Sequence, residues 1–249
     1  MNRGILILCV AAVVLFAAMD SHAAERTGSY KGRRTEGKFW SKIKHEAGET
    51  TRQTGWQNER GEGQNVAQGT WDKENHQGTY TSTTTGANGR TVSSEGSLKR
   101  NGDGTMSQEG TITGAFGRKV NVERDRIKNE DGSTSVQSVF TGQKGKTFTT
   151  EKHIVNQDGT REVVGQYKTS AGKTGTFGSQ STVNDGKINT QRSLTNQRGK
   201  TWKQNIKLRK ENNTLIRDVT NTNPNNESKN FTESINVDEN KDAAETANK

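Results

Sequence analysis

A repeat of about 28 residues, built from two alternating turn signals, constrains this chain more than anything else in it. One landmark is a Thr-Gly-x-x-Gly-basic turn. It occurs at Thr85-Gly86-Ala87-Asn88-Gly89-Arg90, Thr113 to Arg118 and Thr141 to Lys146, in shortened form at Thr169 to Lys173, and as a variant at Thr195 to Lys200. Successive threonines are 28, 28, 28 and 26 residues apart. Halfway between lie Asn101-Gly102-Asp103-Gly104, Asn129-Glu130-Asp131-Gly132, Asn156-Gln157-Asp158-Gly159 and Asn184-Asp185-Gly186. Asp-Gly and Asn-Gly supply the positive φ that tight hairpin turns require. Turns about 14 residues apart leave room for strands of roughly 8–10 residues.

Period-2 alternation between the turns sorts the strands into two faces. One face carries two apolar rows. Val92, Ile112, Val120, Phe140, Phe148, Tyr167, Phe177, Leu194, Trp202 and Val219 lie towards the Thr-Gly turns. Leu98, Met106, Ile127, Val136, Ile154, Val163, Val183, Ile188, Leu208 and Leu215 lie towards the Asp-Gly turns. Between the rows the same face is small, polar or basic, as at Ser94, Gln108, Lys152, Arg192 and Arg217. Val120 and Ile127 differ in parity, so a β-bulge is expected between them.

These patterns predict an all-β chain of tandem hairpins in one long antiparallel meander. Because open twisted sheets rarely exceed about ten strands, it should curl, close into a barrel or fold into two layers. A tightly packed solenoid would bury Lys152, Arg192 and Arg217 unpaired. A lipid-spanning barrel needs an outward apolar band, which the other face lacks. Composition alone, 26% hydrophobic with mean hydropathy −1.06, is close to that of disordered chains, but a single proline and the fixed register of the apolar residues argue against disorder as the whole answer.

Four segments follow. Residues 1–23 read as a signal peptide, with Arg3, an apolar run from Ile5 to Met19, and small residues at Ser21 and Ala23 before the cleavage point. Residues 24–84 hold degenerate hairpins, 85–222 hold five clear repeats, and 223–249 form a polar, acidic tail expected to be disordered. The sole cysteine, Cys9, lies in the signal, so the mature chain has no disulfide and no thiol chemistry. This chain therefore reads as exported, periplasmic or extracellular, and bacterial in style, with no transmembrane segment after cleavage.

No catalytic motif stands out. His45, His76 and His153 lie in different units without metal-ligand spacing, and each Asp-Gly turn offers too few oxygens for calcium. No enzyme, metal or cofactor is expected. Charge position is more telling. Net charge is +9, and every clear Thr-Gly turn ends in a basic residue: Arg90, Arg118, Lys146, Lys173 and Lys200. The Asp-Gly turns carry Asp103, Asp131, Asp158 and Asp185. In a meander the two turn sets occupy opposite rims, one basic and one acidic. The basic set is the candidate polyanion site, for an acidic polysaccharide, lipopolysaccharide or extracellular DNA. Complementary rims also allow head-to-tail self-association. The expected function is a non-enzymatic envelope or matrix protein binding polyanions or partner proteins. The alternative is a periplasmic small-ligand binder using a closed barrel's interior. Export predicts a mature chain beginning at Ala24, which intact-mass measurement on secreted or periplasmic protein will show; retention of Met1 would remove the basis for export.

Overall fold

The computed structural model describes residues 24–32, 35–46 and 48–237. The expected signal peptide, residues 1–23, and the last part of the expected tail, 238–249, lie outside them. Sixteen strands follow one another: β1 (Ala24–Lys31), β2 (Glu36–Glu46), β3 (Glu49–Asn58), β4 (Gly61–Asp72), β5 (Gln77–Thr85), β6 (Thr91–Arg100), β7 (Met106–Thr113), β8 (Lys119–Lys128), β9 (Thr134–Gly142), β10 (Thr147–Gln157), β11 (Thr160–Thr169), β12 (Thr174–Asn184), β13 (Lys187–Asn196), β14 (Thr201–Glu211), β15 (Thr214–Thr222) and β16 (Ser228–Val237). Each pairs antiparallel with the next, and β16 pairs with β1, so the meander closes into a barrel.

Two turn geometries set the register. Gly86, Gly114, Gly142, Thr169, Asn196 and Asn223 each donate their N–H to the carbonyl of Arg90, Arg118, Lys146, Lys173, Lys200 and Glu227 respectively, at 2.8–3.0 Å. The residue before each acceptor is left-handed, from Gly89 (φ 73°) to Asn226 (φ 63°). These are three-residue loops ending in a glycine-type bulge. At the other end Asn101 and Asn129 open turns of the same kind. Asp158-Gly159 (φ 48° and 70°) and Asp185-Gly186 (φ 48° and 70°) instead make two-residue turns with both centres left-handed. Replacing a three-residue loop by a two-residue one shortens the unit. The openers are therefore spaced 28, 28, 27, 27 and 27 residues apart. The interval of 26 between Thr169 and Thr195 comes from matching threonines that are not structurally equivalent.

Two sequence expectations change. Pairing of β8 with β9 is continuous from Val120 to Lys128, with no bulge. Ile127 therefore points outward, 44% exposed, and Val122 (5% exposed) is the buried inward residue of that strand. The repeat array also does not end at residue 222. Ser228–Val237 of the expected tail form β16, the strand that closes the barrel.

Closure is narrow. β1 and β16 share four residue pairs, Gly28↔Val237 to Lys31↔Ser234, whereas all other neighbours share eight or more. Following paired residues once round the wall returns to β1 about 20 residues from the start. With a rise of about 3.3 Å per residue and strands about 4.8 Å apart, that shear tilts the strands by about 40° and gives a backbone radius of about 16 Å.

The inner face is the one carrying Val122, Val136, Ile154, Ile206 and Val219, the buried apolar residues among those described. Apart from Ile127, both expected apolar rows line it. Aromatic rings on this wall lie across glycines of the neighbouring strand. Directly paired are Phe39 with Gly28, Trp56 with Gly63, Trp71 with Gly78, Tyr80 with Gly96, Tyr167 with Gly175 and Phe177 with Gly165. A Cβ on Gly165 would come within 2.4 Å of the Phe177 ring, and one on Gly175 within 2.5 Å of Tyr167. The rings use space that only glycine leaves, so they hug the wall.

Gly165→Ala should therefore cost about 1–3 kcal/mol in urea denaturation through overpacking against Phe177. Gly178, where an added Cβ meets nothing closer than 3.5 Å, is the control. Gly178→Ala should be neutral or stabilise by about 0.5 kcal/mol.

Candidate functional site: a cationic lumen and a basic rim

Charge is segregated between the two sides of the wall. Facing inward at mid-height are Arg26, Arg52, Arg124, Lys152, Arg192 and Arg217. Arg100, Arg126, Lys128, Arg161 and Lys210 face inward nearer the Asp-Gly rim, and Lys229 nearer the Thr-Gly rim. Among the described strand residues the inner face carries one carboxylate, Glu233, which takes a hydrogen bond from Arg217 Nη1 at 2.7 Å. Strand carboxylates such as Glu95, Glu109, Glu123, Asp125, Glu151, Glu162 and Asp218 face out. So do polar rows such as Thr79, Thr81 and Thr83. The outer apolar residues are scattered, as with Val164 (50% exposed) and Ile127, so no lipid-facing band forms. No helix of the described residues is long and apolar enough to cross a membrane.

The cations of the lumen are held by polar neighbours more than by acids. Arg124 donates from Nε to Ser138 Oγ (3.0 Å) and from Nη1 to Gln108 Oε1 (3.2 Å), and Gln108 in turn donates to the Tyr80 hydroxyl (2.9 Å). Lys152 sits half-buried among cations. Burial, then Arg124, Arg161 and Arg126, hold its ammonium below the ordinary lysine pKa. Most aromatics of the described chain form a tier around the lumen near the Thr-Gly rim. In it Phe140 and Phe148 stand 6.0 Å apart, and Phe148 and Tyr167 5.7 Å. This wall is not dry: Phe148 is 40% exposed, Trp202 41%, Leu194 43% and Val183 58%. Apolar and aromatic surface is thus open to the lumen beside a ring of cations.

The expected rim residues all fall on one rim, each as the last residue of its turn: Arg90 between β5 and β6, Arg118 between β7 and β8, Lys146 between β9 and β10, Lys173 between β11 and β12, and Lys200 between β13 and β14. Closure bends them into an arc, whereas an open sheet would have made a straight ladder. The sixth equivalent position is Glu227. Arg90 lies over the Phe116 ring of the next turn, 4.7 Å from its centroid. A cleft of 360 Å³ between two of these turns is lined by Arg198, Lys200 and Lys203 beside Asn223 and Asn226.

Over the described turns of this rim the basic residues are Arg60, Arg90, Arg118, Lys144, Lys146, Lys173, Arg198 and Lys200, against Glu59 and Glu227. On the opposite rim Glu74, Asp103, Glu130, Asp131, Asp158 and Asp185 stand against Lys73. Two of these acids also build their turns. Asp103 accepts from Thr105 Oγ1 (2.6 Å) and Thr105 N–H (2.9 Å), and Asp131 accepts likewise from Ser133. Those bonds, side-chain first, lower both carboxyl pKa values.

The histidines stay apart. His45 lies on β2 against Thr50 (2.9 Å), His76 in the β4–β5 turn and His153 on β10. Among the described residues no three His, Cys, Asp or Glu side chains are grouped to hold a metal ion. No family model, curated protein or solved structure matches this chain.

Lys152 makes the cost of this lumen measurable. Its folded pKa lies below the unfolded one, so its charge destabilises the fold at neutral pH. That penalty fades as pH rises through the lowered pKa towards the unfolded value. Lys152→Met should raise the thermal midpoint at pH 7, and the gap to wild type should shrink in alkaline buffer and in high salt.

Proposed function

We propose that this chain is an exported, non-enzymatic envelope or matrix protein that binds polyanions in its barrel, with the basic rim as the approach. One observation carries the reading. A wall lined by Arg and Lys, with every strand carboxylate of the described residues except Glu233 turned outward, gathers like charges that an anionic occupant would offset. The basic turns add a field at the mouth that draws the polymer in.

Width separates this reading from the small-ligand alternative. A backbone radius of about 16 Å leaves a free bore of about 20 Å, on the order of 8,000 Å³, where small-molecule pockets run roughly 300–1,000 Å³. An acidic polysaccharide, lipopolysaccharide or extracellular DNA has the charge and bulk to engage several walls at once. Binding at the rim alone is the second reading, supported by the cleft at Arg198, Lys200 and Lys203.

Heparin titration at several salt concentrations tests both. Reversing Arg124, Lys152 and Arg192 to Glu, with circular dichroism unchanged, should weaken binding about 100-fold or more and flatten the salt slope by about two units. Reversing the outward Lys42, Lys99 and Lys168 changes net charge equally and should cost less than about 3-fold. Equal losses in the two variants would leave only overall charge as the cause. A lumen variant that binds normally while Arg90, Arg118 and Lys146→Glu does not would move the site to the rim.

A further inference from the structure

From the two rims we infer that the barrel stacks head to tail on further copies of itself, the basic rim of one against the acidic rim of the next. Alternate turns of a closed meander project from opposite ends, so each end face presents one turn type, while Arg100, Lys128 and Arg161 beside the Asp-Gly turns point into the lumen. The described turns sum to about +6 at one end and about −5 at the other. The opposition is repeated round the circumference: Arg118, Lys146 and Lys173 on one rim alternate along the chain with Asp103, Asp131 and Asp158 on the other.

Geometry fits as well as charge. Both rims belong to one sixteen-strand cylinder, so they share a radius of about 16 Å and meet without mismatch. A wall about 10 Å thick on that radius offers about 1,000 Å² per copy, within the range of specific interfaces. Turns pack poorly and their charges are solvated, so affinity rests on electrostatics and yields to salt. The contact is heterologous. Each copy added along the axis leaves both end faces free, and the product is a tube with joined lumens. This inference does not rest on the polyanion reading.

Sedimentation velocity on the full mature chain, without any polyanion, tests it. Wild type should form a concentration-dependent series of oligomers at about 20 mM salt and a monomer at about 0.5 M. One variant, Arg118→Glu/Lys146→Glu/Lys173→Glu, brings the Thr-Gly rim from about +6 to about zero while the opposite rim stays acidic. A second, Glu74→Lys/Glu130→Lys/Asp158→Asn, brings the Asp-Gly rim from about −5 to about zero, keeps a side chain that tolerates the left-handed backbone at residue 158, and spares Asp103 and Asp131, whose carboxylates build their turns. Each alone should stay monomeric at low salt, and an equimolar mixture should associate again. Wild type that remains a monomer at low salt overturns stacking. So do single variants that assemble like wild type, or a mixture of folded variants that stays monomeric. The lumen variant Arg124→Glu/Lys152→Glu/Arg192→Glu should stack normally, so loss of heparin binding and loss of stacking are read separately.

Discussion

The parity set by the turns governs everything else in this barrel. Side chains alternate with a period of two, so a slip of one residue would move a strand's whole apolar set to the outside. Here the register is held by backbone hydrogen bonds within each turn, such as Gly86 to Arg90 and Gly114 to Arg118, and by left-handed residues that only a few side chains tolerate. Two-residue turns at Asp158-Gly159 and Asp185-Gly186 replace the three-residue loops at 101–105 and 129–133. The chain absorbs that change by shortening the repeat, and the inward set stays inward. Turn chemistry, more than a packed core, specifies this fold, since very few apolar side chains of the described residues are fully buried.

A barrel with so little buried apolar surface needs another source of order, and the wall supplies it. Nearly every inter-strand boundary carries eight to ten paired residues. Rings such as Phe177 and Tyr167 lie over glycines of the facing strand instead of reaching across the bore. Aromatic area is thereby buried against backbone at short range, and the centre stays open. Strand glycines normally weaken a sheet. Here each one opposite a ring exchanges side-chain packing of its own for that of its neighbour.

The meander, the two rims and the inward apolar rows were legible because each is a local pattern repeated many times. What was not legible depends on register between strands. The pairing of Gly165 with Phe177 joins residues 12 positions apart. It becomes visible only once the turn between them is known to be a three-residue loop. Hydrophobicity alone points Ile127 inward; the structure keeps the parity of Val120 and puts Arg126 on the inner face. The sequence signal of β16 is weak because its turn has lost the Gly and the basic residue, with Asn226 and Glu227 in their places. Its alternation of Phe231, Glu233 and Ile235 on the inner face is too short to outweigh a polar, acidic composition. The candidate rim residues could be read directly. Segregation of the lumenal cations could be read only in part, at Lys152, Arg192 and Arg217, since Arg26 and Arg52 lie in units whose turns are degenerate.

Glu233 links closure to charge. It lies beside Arg217 of β15 on β16, the strand that forms the narrow seam with β1. A cationic wall repels itself, and repulsion around a cylinder loads its weakest boundary, the seam of four residue pairs. Placing the one inward carboxylate next to that boundary relieves the load where fewest backbone hydrogen bonds resist it. Around Lys152 and Arg124 the inner face of the described strands supplies hydroxyl and amide partners and no carboxylate, so their like charges stay close together. An anionic occupant would therefore do two things at once: neutralise the wall and tighten the seam. In this barrel the charge of the lumen and the closure of the seam draw on the same electrostatic term.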